Sequence, residues 1–138
     1  MPQPTEKPAI VTTAIKLLYF TLIIGVGRSL LEWPRLTQTT SAGIALFTIV
    51  FTLVLMVWLI TKMDRGRNWA RITFLVLFLL GIPLSMPSQL QSLSYSPISG
   101  VLGLAQGALQ IVGLVMLFGR AARPWFRPTA ATPVATPQ

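Results

Sequence analysis

No charged residue interrupts the chain from Leu36 to Thr61 or from Ile72 to Gly119. A charged side chain at a bilayer centre costs at least about 2.5 kcal/mol, so these two gaps mark where lipid-crossing helices fit. The first gap predicts one helix over 42–62, apolar through Phe47, Val50, Leu53, Leu55 and Trp58. The second would make a single helix of about 70 Å, more than twice the hydrocarbon thickness, so the chain must turn back once. Pro83, Ser85, Pro87, Ser88, Gln89, Gln91, Ser92, Ser94, Ser96 and Pro97 form the polar, proline-punctuated stretch expected to break it. Spans over 69–86, prolonged past a kink at Pro83, and over 98–120 follow.

A further apolar stretch over 9–31 carries Lys16 and Arg28. They stand about 18 Å apart along a helix, less than the hydrocarbon core, so each must snorkel to an interface or find a partner. Glu32, one turn beyond Arg28, is the candidate partner. A cleaved signal peptide would require a small-residue site; Gly25-Val26-Gly27 is a poor one and apolar residues continue to Leu31, so the stretch reads as a first span. The expected fold is therefore an all-α membrane protein, four transmembrane helices in an antiparallel bundle. The tails, 1–8 and 128–138, repeat Pro, Thr and Ala with little to bury and are expected to be disordered.

Charge sets the expected orientation. With four spans, Lys7, Lys16, Lys62, Arg65, Arg67, Arg71, Arg120, Arg123 and Arg127 share one side, and only Arg28 and Arg35 lie on the other. That bias places both termini in the cytoplasm. A net charge of +8 also suits nucleic acid, but the basic residues are scattered over membrane-facing ends. The expected partners are the lipid bilayer and its anionic headgroups, with no nucleic acid.

Composition removes most chemistry. The 138 residues include no Cys, no His and three acidic side chains, Glu6, Glu32 and Asp64, which the four-span layout keeps apart. No metal site, no cofactor and no acid–base pair is expected, hence no enzyme.

Four constellations remain. On the fourth helix Gly103, Gln106, Gly107, Gln110 and Gly113, with Gly100, fall on one broad face at spacings of three and four, the pattern of close helix packing or of a polar lining. Ser41, Ala45, Thr48 and Thr52 make a small, weakly polar stripe on the second helix, expected to pack against the first or fourth. Lys16 lies beside Tyr19 on the first helix. Arg65, Arg67 and Arg71 lie in or beside the turn before the third, and with Lys16 they are candidate contacts for an anion or a lipid headgroup. In that turn Gly66 and Asn68 suit a tight hairpin, and Asp64 is placed to neutralise a neighbouring arginine or cap the next helix.

The string Gly66-Arg67-Asn68-Trp69-Ala70-Arg71-Ile72 opening an apolar helix, with Trp125-Phe126 after the last span, resembles a family of small uncharacterised four-pass inner-membrane proteins of bacteria. The resemblance implies the four-span layout and a place in a bacterial inner membrane, and assigns no role to any residue. The functional expectation is a protein acting by helix packing, as an accessory subunit or scaffold, alone or as a homo-oligomer. The alternative is a small homo-oligomeric transporter or channel whose solute, given Lys16 and Arg28, would be anionic.

Overall fold

The computed structural model describes residues 6–127. The two segments expected to be disordered lie outside these residues, except for 6–8, which precede the first helix without regular structure. The regular structure of the described residues is entirely α-helical, with helices α1 (Ala9–Leu31), α2 (Trp33–Thr39), α3 (Ala42–Asp64), α4 (Asn68–Tyr95), α5 (Pro97–Phe118) and α6 (Arg123–Phe126). Four of them, α1, α3, α4 and α5, are long and apolar enough to cross a membrane, making this an all-α, multi-pass membrane architecture.

Each boundary has a local cause. Pro34, in the first turn of α2, has no N–H to continue the α1 ladder, and the axis breaks at Glu32. The Ser41 hydroxyl accepts the Ile44 N–H and opens α3. Gly66 closes α3 in the left-handed region at φ +75°, and the N–H groups of Gly66 and Arg67 return to the Met63 and Lys62 carbonyls. Ser96 alone, extended at φ −143° and ψ 93°, reverses the chain between α4 and α5. The residue before a proline is steered out of helical geometry, and Pro97 then occupies the first turn of α5.

The last point corrects the expected break over 83–97. Helix α4 runs unbroken through Pro83 and Pro87 to Tyr95. Its serines do not need water: Ser85, Ser88 and Ser92 donate to the Ile82, Ser85 and Ser88 carbonyls at 3.2, 2.8 and 2.8 Å. Hydroxyls satisfied within their own helix allow a serine-rich segment to stay helical at membrane depth. Its 28 residues measure about 42 Å, so α4 overreaches a hydrocarbon core.

The most extensive helix pairing is α1 with α5; α4 packs on α5, and α3 on α1 and α4. Contacts such as Lys7 with Asp64 and Arg71 with Leu117 gather the start of α1, the α3–α4 turn and the end of α5 at one end, here the basic end. Arg28, Glu32 and Arg35 meet Ser92, Ser99 and Gln91 at the other, the serine end. The apolar core, including Val11, Leu18, Leu59, Met63, Phe74, Leu117 and Phe126, sits toward the basic end. Beyond it, α3 from Ile44 to Val54 and α4 from Leu79 to Leu90 expose most side chains. The expected stripe on α3 is therefore corrected: Ser41, Thr48 and Thr52 are exposed and only Ala45 is buried. Thr48 can face lipid because its hydroxyl donates to the Ile44 carbonyl at 2.9 Å.

Candidate functional site

The serine end holds the polar groups that matter most to a membrane chain. Arg28 and Glu32 share one face near the end of α1, and Arg28 Nε donates to Glu32 Oε1 at 3.1 Å. The same carboxylate oxygen accepts the hydroxyls of Ser92 on α4, at 2.8 Å, and of Ser99 on α5. Arg28 Nη2 in turn donates to Ser92 Oγ at 3.4 Å. Ser92 Oγ lies equally close to the Ser88 carbonyl, so its single proton serves one acceptor at a time. Both serines are buried, and the Arg28 and Glu32 side chains are only 13% and 19% exposed.

One glycine makes room for this cluster and a second for the α1–α5 contact beside it. A Cβ on Gly103 would collide with the Arg28 guanidinium and the Gln89 amide, and one on Gly25 would stand 2.9 Å from Gln106 Nε2. Gln89 Oε1 is buried there without a hydrogen-bond partner among the described residues. Arg35 extends the contact by donating to Gln91 and lying 4.8 Å over the Tyr95 ring. Burial pushes the Glu32 carboxyl up, but the Ser99 and Ser92 hydroxyls and the Arg28 charge together outweigh it, and Glu32 is held below its ordinary range. At neutral pH the cluster is a closed ion pair in which Glu32 is ionised, joining α1 to both arms of the α4–α5 hairpin.

At the basic end Arg71 is the organising side chain. Its Nη1 donates to the Leu117 carbonyl at 3.0 Å and its Nε to Asn68 Oδ1 at 2.6 Å, while its guanidinium lies 4.7 Å from the Phe118 ring and 4.6 Å from the Phe126 ring. A cation on the last carbonyls of α5 also meets the negative end of that helix dipole. Asp64 pairs with Lys7 across the α1–α3 contact, which corrects the expectation that it neutralises an arginine of its own turn or caps α4. The cap position of α4 is Arg67, with no side-chain cap bond. Trp58 and Trp69 meet across the turn at 5.3 Å, with Lys62 5.7 Å over Trp58.

The remaining predicted residues divide cleanly. Gly103 and Gly113 are buried in helix contacts, Gly113 with its Cβ position 3.1 Å from Leu18. Gly107 has open space on its Cβ side, and Gln106 and Gln110 are half-buried. Lys16, Arg65 and Arg67 are exposed, so of the four candidate anion contacts only Arg71 is built into the bundle. Among the described residues no three carboxylates gather into a potential metal site.

Sequence reasoning gave no role to Ser92 or Gln89, because it treated their segment as a turn, nor to Ser99, which it placed in the fourth span. A signal was present: Ser85, Ser88 and Ser92 follow helical spacing of three and four. Comparison with family models, with curated proteins and with solved structures gives no match to this chain.

Proposed function

We propose that this chain is a non-catalytic protein of a bacterial inner membrane, with both termini cytoplasmic, that acts by helix packing as an accessory subunit or scaffold. The observation that carries the reading is the closed Arg28–Glu32–Ser92–Ser99 cluster: the charges at the serine end are answered by the chain itself, which leaves no poised proton donor or acceptor there. Lys16, the other charge within α1, is exposed, where its stem can lie in lipid and its ammonium can reach the interface. The uncovered lengths of α3 and α4, largely apolar, offer surface to lipid and to the helices of a partner.

Purification of the full chain in mild detergent, followed by mass spectrometry of copurifying proteins and small molecules, tests this. A membrane protein retained in fixed stoichiometry supports the scaffold. Anion flux into liposomes containing the purified chain, lost in Lys16→Met, would replace it with the transporter.

A further inference from the structure

The basic end carries more positive charge than the chain can answer. Of the three carboxylate side chains, Glu32 is taken by Arg28 at the serine end and Asp64 by Lys7, leaving Glu6. Between the first turn of α4 and the end of α5 lies an open hollow lined by Asn68, Arg71, Phe118, Arg123, Phe126 and Arg127, three arginines and no acid. Cations collected in one concavity concentrate anions there.

The hollow has a fixed element and a free one. Arg71 is held by the Leu117 carbonyl, by Asn68 and by two aromatic rings, so its orientation is set before any ligand arrives. Those bonds use two of its five N–H groups, which leaves three. Arg123 and Arg127 are exposed, and neither forms an ion pair among the described residues. Phe118 and Phe126 supply the apolar part of its wall. Because α5 ends at Phe118 and α4 begins at Asn68, the hollow stands at the mouth of two spans, the depth of lipid headgroups.

We propose that the Arg71–Arg123–Arg127 hollow binds the phosphate of an anionic phospholipid, with the guanidinium N–H groups on the phosphate and the hydrocarbon against the apolar flank of α4 and α5. A phosphodiester suits the planar, multi-donor arginine head. Free phosphate shares the charge but makes no use of the phenylalanine walls or of the position in the leaflet. The site is independent of the scaffold reading and stands or falls without it.

Native mass spectrometry of the full chain, released from micelles containing equal phosphatidylglycerol and phosphatidylcholine, reads the binding directly. The expected result is a discrete phosphatidylglycerol adduct, weakened roughly tenfold in the Arg123→Gln/Arg127→Gln variant. The Arg65→Gln/Arg67→Gln variant, which removes equal charge from the α3–α4 turn, should retain it. All four side chains are exposed, and unchanged circular dichroism checks that both variants fold. Equal retention of the two lipids, or equal loss in both double variants, would overturn the site as diffuse electrostatics. Displacement of phosphatidylglycerol by millimolar inorganic phosphate would overturn the lipid as its ligand.

Discussion

The Arg28 guanidinium occupies the space that a Cβ on Gly103 would take, so the absence of a side chain on α5 is what lets α1 bring its arginine into the helix interface. Gly103→Ala should destabilise the bundle by about 1–3 kcal/mol, because Arg28 is tethered to Glu32 and Ser92 and cannot simply withdraw. Gly107→Ala, with nothing near its Cβ, should be neutral or stabilising by up to about 1 kcal/mol. Thermal melts of both variants in one detergent measure the difference, and equal melting would show that the interface does not close on Gly103.

Glu32 makes stability depend on acid. Its folded carboxyl titrates below the ordinary value of 4.5, so its contribution is whole above that value and is lost as pH falls through the lower folded one. Melting temperature should therefore drop on acidification below about pH 4.5, by more in the wild type than in Glu32→Gln. At neutral pH Glu32→Gln should itself cost about 1–3 kcal/mol, since it weakens three hydrogen bonds to a charged acceptor. Parallel pH titrations of melting distinguish this cluster from the Lys7–Asp64 pair, which both proteins keep.

Among the arginines around the α3–α4 turn, only Arg71 should matter to folding. Arg71→Ala removes the bond to the Leu117 carbonyl and the cation between two rings, an expected loss of about 1–3 kcal/mol. Arg71→Lys should recover only part of it, because an ammonium lacks the planar fork. Arg65→Ala and Arg67→Ala should stay within about 0.5 kcal/mol, as expected for exposed side chains. Denaturation in mixed micelles orders the four variants.

The proposed orientation predicts that a reporter fused after Arg127 is active only on the cytoplasmic side and one inserted at Ser96 only on the opposite side. Ser96 is the better insertion point because it alone links α4 to α5, whereas an insertion anywhere from Ser85 to Tyr95 would cut a helix. The reverse pair of activities would invert the topology.

Much of the fold was legible in one dimension because lipid is a demanding solvent. It tolerates few charges and requires every backbone group to be bonded within the chain, so the runs without charge pointed to three of the spans and an apolar stretch to the first. The pairing of Arg28 with Glu32 was legible too, since residues four apart on a helix are neighbours whatever surrounds them. The helical state of 83–95 was not, because prolines and serines signal a turn in water, and only the hydroxyl bonds within α4 remove the need for water.

What the sequence by itself determined is thus the number of spans and the imbalance of charge between the two ends, both consequences of local composition meeting lipid. Tertiary structure alone decided which further partners, beyond the Arg28–Glu32 pair, answer the buried charges. Ser92 and Ser99 lie 60 and 67 residues from Glu32, and Leu117 lies 46 from Arg71. No periodicity encodes such distances; they arise because α5 packs against both α1 and α4, and because Gly103 lets them approach closely enough for short side chains to meet.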